Sequence, residues 1–174
     1  MPEIHDPREA ARRRAVPSPP LPATDEIKEA VRAFIVERGA AALYTIDKAG
    51  FPTGRVMGVS LRDDWSVEVV QARQTGRVAQ VRRNPHVAVV WTEGTQGRNV
   101  YLKGLASLVE GDDLVSMYRR RIEANRARGG SMPALSDDDV RELLVGMVVK
   151  PVSVRTEHFG EGIGIYEWRF PPFT

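Results

Sequence analysis

A chain of 174 residues, 42% hydrophobic and 28% charged, has the size and make-up of one globular domain with room for a true core, and a second full domain is not expected. It contains no cysteine, which excludes a disulfide scaffold, a thiolate metal site and a cysteine nucleophile together. The formal charge of +2 conceals a preference for arginine over lysine, with clusters at Arg12 to Arg14, Arg82 to Arg83 and Arg119 to Arg121. The planar guanidinium suits phosphate and carboxylate, although a solvated face is the commoner use of such runs. No apolar run nears the roughly 20 residues of a membrane span, and the N-terminus lacks the apolar core of a signal peptide. The expectation is a cytoplasmic protein without a membrane partner.

Residues 1–23 combine Arg8 and Arg12 to Arg14 with four prolines between Pro17 and Pro22. They hold too little apolar surface to offset the entropy of ordering, so a flexible or polyproline-like arm is expected ahead of a domain at 24–174. The arm lacks aromatic interleaving and helical periodicity, and nucleic-acid binding is not expected of it. From Asp25 the period changes: Ile27, Ala30, Val31, Phe34 and Ile35 share one helical face, with Thr24 or Asp25 as N-cap and Gly39 as the stop.

The segment AALYTID reads as a strand, Lys48-Ala49-Gly50 as a turn, and TGRVMGVSL as a second strand. After the polar turn Arg62-Asp63-Asp64, WSVEVVQA alternates Trp65, Val67 and Val69 against Ser66, Glu68 and Val70, which predicts a three-stranded meander. A short helix follows in TGRVAQVRRNP, with Thr75 placed to cap it, Val78 and Val81 inward, and Asn84-Pro85 as its end. HVAVVW, almost continuously apolar, predicts a strand buried on both sides. NVYLKGLASLV predicts an alternating strand with a bulge or bend at Gly104.

Beyond Gly111 the pattern turns helical. Leu114, Met117, Tyr118 and Ile122 form the apolar stripe of DDLVSMYRRRIEANRAR, which Gly129-Gly130 stops. SDDDVRELLVG predicts a second helix with Ser136 or an early aspartate as N-cap, and Val140, Leu143 and Leu144 inward. MVVKPVSVRTEHF is a long strand in which Pro151 needs an edge or a bulge, and GIGIYEWRFPPF a last, aromatic-rich strand. Five or six antiparallel strands with one short helix between them favour a closed or nearly closed barrel.

Conventional catalytic sets are absent. His5, His86 and His158 are scattered without ligand spacing. No nucleophile elbow, dinucleotide fingerprint or phosphate loop occurs. Asp137 to Asp139 complement a helix dipole. What remains is QTGRVAQVRR, which opens a helix directly after a strand: unpaired amides, the Thr75 hydroxyl and the Arg77 fork form a set that suits a phosphate monoester. Arg55, on a neighbouring strand, is placed to reach the same anion.

The order of LYTIDKAGFPTGRVMGV, VVQARQTGRVAQVRRNPHVAVVW and NVYLKGLASLV behind an opening helix resembles the flavin-binding split-barrel family related to pyridoxamine 5'-phosphate oxidase, over about residues 26–170. The resemblance implies a mainly β (β plus α) fold: a six-stranded antiparallel split β-barrel with flanking helices, homodimeric, with FMN at the subunit interface. It assigns the flavin phosphate to Arg55, Thr75, Gly76 and Arg77. Val56 and Met57 would line the isoalloxazine through their main chain, and Val70 and Gln71 would meet the ribityl and ring. Asn99 and Trp168 would come from the other subunit. The implied activity is hydride or electron transfer from a reduced nicotinamide to a small acceptor, with no general acid or base assigned. Two departures qualify it. EWRFPPF lacks the family's C-terminal Arg-x-His motif, which argues against vitamin B6 oxidase activity. Gly76 stands where a second basic residue would strengthen the anchor, which leaves a deazaflavin coenzyme or haem as alternative cofactors, and a deazaflavin-dependent reductase or a non-enzymatic flavin or haem binder as alternative functions.

Overall fold

The structure is a computed structural model that describes residues 19–95, 97–160 and 164–172. After a two-residue strand, β1 (Leu21–Pro22), comes helix α1 (Asp25–Arg38). The Ile27 N–H donates to the Thr24 hydroxyl (3.3 Å), and Gly39, at φ 58°, ends the helix in the left-handed conformation that glycine adopts without steric cost. Val31, Phe34 and Ile35 enter the core, whereas Ala30, expected beside them, faces solvent.

Strands β2 (Ala40–Ile46) and β3 (Pro52–Gly58) form a hairpin in which Leu43 stands opposite Arg55. The Asp47 carboxylate fixes the turn by accepting the Ala49 and Phe51 amides at 2.8 and 2.9 Å, and Gly50 supplies the positive φ. The single strand expected over 53–61 breaks at Val59, whose N–H donates to Gly39 O (3.1 Å); the remainder is β4 (Ser60–Leu61).

β5 (Val67–Ala72) does not join β3. It pairs antiparallel with β8 (Leu144–Glu157) and, at its start, with β4, so the third strand of the expected meander meets the second only through Ser60–Leu61. Between β5 and β8 lie α2 (Gly76–Arg83), β6 (His86–Thr92), β7 (Asn99–Val109), α3 (Gly111–Ala127) and α4 (Asp137–Leu143); β9 (Ile165–Arg169) follows. The remaining strands run in the order β1-β9-β8-β7-β6-β2-β3, antiparallel except for β1 on β9. Leu21 and Pro22 belong to the expected arm, yet they pair with Tyr166 and Glu167; residues 1–18 of that arm lie outside the described residues.

Among the described residues the fold is mixed α/β with the sheet predominant and four helices. None of those helices is long and apolar enough to cross a membrane. The predicted bulge falls between Lys103 and Gly104, opposite Pro151. A Cβ on Gly104 would stand 2.5 Å from Lys150 O, so only glycine admits that backbone approach. β6 buries Val87, Val89 and Trp91 but leaves Ala88 and Val90 half-buried, so it is covered on one face and not on two. Conversely β5 is covered on both faces: Glu68, on the strand face opposite Val67 and Val69, is buried and bonded by Arg120 of α3. On α4 only Val140 is buried; Leu143 is exposed and Leu144 already belongs to β8.

The larger core cluster joins α1 to Leu43, Val67, Val69, Val89, Leu102 and Met147. A smaller one sits under α3 and α4 around Leu114, Tyr118, Ile122 and Val140. The other face of the β3-β2-β6-β7-β8 surface carries Tyr44, Val56, Lys103 and Val152, all exposed.

Candidate functional site

The end of β5 is fixed before α2 begins. Arg73 donates its amide to Leu143 O (2.9 Å) and its guanidinium to Glu110 (2.6 Å) and to Arg141 O (2.7 Å), which sets the turn at 73–75. Val78 and Val81 then root α2 in the interior. Gln80 accepts the hydroxyls of Thr45 (2.5 Å) and Thr53 (3.3 Å), tying the helix to β2 and β3. Arg55 lies opposite the buried Leu43 on the same face of β3 as Thr53, so it points to the side on which α2 packs.

Among the described residues the charges gathered there have no counter-charge. Arg77 donates its Nε–H to Gln71 Oε1 (3.0 Å), and its pKa is lowered first by burial and then by the nearby positive charge of Arg55. Among the described residues neither arginine forms an ion pair. The expected cap at Thr75 is not made. Thr75 is the N-cap by position, but its hydroxyl is buried and bonded to nothing, as is the amide nitrogen of Gln71, a residue only 7% exposed. Orphaned buried donors of this kind leave room for a partner such as water, an ion or a ligand. Two guanidinium groups, a hydroxyl, an amide and the free N–H groups of a helix start therefore surround a place fit for a compact anion. Gly76 adds backbone only, with open space where its Cβ would be.

The other predicted residues divide. Met57 is half-buried against the large core cluster, beside Arg55. Val56 points the other way, to the bare face, and is 73% exposed. Val70 and Gln71 line a cavity between β5 and the α3–α4 hairpin. Asn99 stands on the bare face, donating to Gly97 O (3.0 Å) and to Glu157 (3.3 Å). Trp168 packs edge-on against Trp65, ring centroids 5.1 Å apart, with its indole N–H buried and unpartnered. Within one chain, Arg55, Gln71, Thr75 and Arg77 come together, while no described contact brings Asn99 or Trp168 to them. The cavity also holds Arg121, which residue-type reasoning passed over as one of a solvated run. Its signal was positional: it lies three and four residues after Tyr118 and Met117, on the buried stripe of α3.

The family model for pyridoxamine 5'-phosphate oxidase matches residues 27–156, and the chain belongs to that family. Several solved structures share the fold. An FMN-binding, pyridoxamine 5'-phosphate oxidase-related protein from Nostoc punctiforme superposes with a TM-score of 0.56 at 13% identity, over 86% of this chain and 98% of that one. A haem-binding protein from Mycobacterium smegmatis gives 0.60 at 15% identity, over 86% and 60%. An F420 reductase gives 0.54 at 19% identity, over 66% and 87%. Among proteins of curated function none matches significantly.

Proposed function

We propose that the chain is an FMN-binding oxidoreductase that passes hydride or electrons from a reduced nicotinamide to a small acceptor, in the cytoplasm and as a homodimer. The observation that carries this reading is the uncompensated cluster of Arg55, Arg77, Thr75 and Gln71. Its donor set fits the phosphate and adjoining hydroxyls of a mononucleotide, and the family and the Nostoc punctiforme structure support flavin as the group it anchors. FMN, when bound, supplies the redox chemistry. The chain's own residues anchor and orient: Arg55 and Arg77 neutralise the phosphate, Thr75 donates its hydroxyl, and Gln71, held by Arg77, turns its free amide toward the pocket.

The strand pairings support a six-stranded split barrel. β3 ends one side of the sheet path, and the chain runs through Gly58 and Val59 straight into β4, which pairs with β5 and so with β8. Counting β3 and β4 as one bent strand would make a cylinder of six. The bare face supports the dimer, because it leaves Tyr44 and Val56 exposed beside half-buried Ala88 and Val90 on strands that otherwise end in solvent. The family resemblance favours Asn99 and Trp168 of a second copy as the residues that complete the cofactor site, although only Asn99 stands on this face and Trp168 packs on Trp65.

A second reading places a deazaflavin coenzyme or haem in the same cleft. The open space above Gly76, where no further cation stands, favours it, as do the F420 reductase and haem-binding neighbours. Replacing Arg55 and Arg77 together with alanine decides the anchor. FMN titration followed by flavin fluorescence is expected to show retention abolished, with the circular dichroism spectrum unchanged; unchanged affinity overturns the assignment. Steady-state turnover with NADH or NADPH and a panel of quinone, dye and tetrapyrrole acceptors separates an enzyme from a carrier that holds its cofactor inertly.

A further inference from the structure

The cavity between β5 and the α3–α4 hairpin has a volume of about 330 Å³, within the range of small-molecule sites. Val70, Ala72, Met132, Leu135 and Leu144 make its walls apolar. Tyr118 also lines it, but its hydroxyl is spent: it donates to Pro133 O (2.6 Å) and accepts the Leu135 N–H (3.2 Å), which pins the loop roofing the cavity. Of the described residues that line the space, only Arg121 carries a charge.

Arg121 is built into place without being neutralised. Its Nη1 donates to Gly58 O (2.6 Å), and a Cβ on Gly58 would fall 2.6 Å from Nη2, so the guanidinium rests where a side chain is missing. Its neighbours on the helix are paired, Arg119 with Asp137 and Arg120 with Glu68. Arg121 has no acidic partner among the described residues, and the charge that acts on it is another cation, Arg128. Burial first, and Arg128 second, lower its pKa; both are costs that a bound anion would relieve. Gln71 stands on the same wall, but its amide already belongs to the phosphate anchor, so Arg121 alone supplies the charge of this cavity.

We propose that this cavity binds a carboxylate-bearing molecule with an apolar body, its carboxylate on Arg121 and its body against the β5 and loop side chains. Among the described residues Arg121 leaves Nη2 and Nε without an acceptor, and one fixed guanidinium of this kind over apolar walls suits the planar, singly charged head of a carboxylate. This rests on the flavin reading only in making the bound acid the substrate, since Gln71 joins the cavity to the phosphate anchor through Arg77.

The test is calorimetric titration of the purified protein, with and without saturating FMN, using 4-phenylbutyrate and its uncharged analogue 4-phenylbutan-1-ol. The acid is expected to bind with FMN present, and the alcohol about tenfold more weakly or worse, the scale of a lost charge-assisted contact. Arg121→Gln should bring the acid down to the level of the alcohol while FMN affinity stays unchanged. Gly58→Ala keeps the charge but displaces the guanidinium, and should do the same even if Arg121→Gln fails to fold. The Arg55→Ala, Arg77→Ala double variant should lose FMN and still bind the acid; acid binding without any FMN binding by the native protein would sink the flavin reading and leave this site standing. Equal binding of acid and alcohol, no binding of the acid, or displacement of the acid by FMN would overturn the proposal.

Discussion

Two arginine-rich regions flank β5, and they are wired in opposite ways. On the α3 side, Glu68, only 4% exposed, accepts Arg62 (2.8 Å) and Arg120 (2.7 Å), so each half-exposed cation has a fixed carboxylate and α3 is clamped to the strand. The same device recurs at Glu93, held between Arg38 and Arg98, whose guanidinium groups also lie over the Phe34 ring. At the α2 end, Arg55 and Arg77 act on each other with no paired carboxylate among the described residues, and a hydroxyl and an amide beside them are unbonded. The difference separates two uses of arginine: where the fold supplies the negative charge the residue is structural, and where the fold withholds it the charge is left to solvent or, on the proposed reading, to a ligand.

The sharpest way to break this contrast is to remove the carboxylate from the clamped region. Glu68→Ala leaves Arg62 and Arg120 without an acceptor; because both can turn partly toward water, the loss should be about 2 kcal/mol rather than the larger cost of a fully buried pair. Urea denaturation measures it, and FMN affinity of the folded variant should not move. An equal drop in cofactor affinity would mean that the two regions are one unit. Arg77→Gln should behave in reverse. Stability without cofactor is held or slightly raised, since a like-charge contact is relieved, while FMN binding weakens by roughly tenfold, or ~1.4 kcal/mol. Substantial unfolding of the cofactor-free variant would place Arg77 among the structural arginines.

Local signals were legible where the physics is local. Thr24 and Gly39 bound α1 because caps answer to their own few residues, and Gly104 marks the bulge because a backbone carbonyl 2.5 Å from its missing Cβ forbids any side chain. The partner of β5 was not legible: alternation specifies a strand's faces, not its neighbour, and β5 finds β8 across more than 70 residues. Glu68 was misassigned for a related reason, since only the return of α3 over β5 turns a solvent-facing position into a buried one. The Thr-x-Arg pair at 75 and 77 was visible, but the missing counter-charge was not, because an absence depends on everything packed nearby. Arg121 was hidden inside a run of three arginines that look alike in sequence and have three different partners in space.

Thr75 gives the smallest and most discriminating test. As an N-cap it should stabilise α2, yet its hydroxyl makes no cap bond and lies buried without any partner. Valine keeps the shape, tolerates the extended backbone at φ −119° and ψ 149°, and removes the orphaned oxygen. Thr75→Val should therefore leave the cofactor-free protein as stable or gain about 0.5 kcal/mol, and weaken FMN binding by about fivefold, ~1 kcal/mol, for one lost hydrogen bond. Opposite signs on stability and affinity are the signature of a group held ready for a ligand. A loss of about 1 kcal/mol in the cofactor-free protein, the usual cost of deleting a working cap, would make Thr75 part of the scaffold and leave the anion site to the two arginines and Gln71 alone.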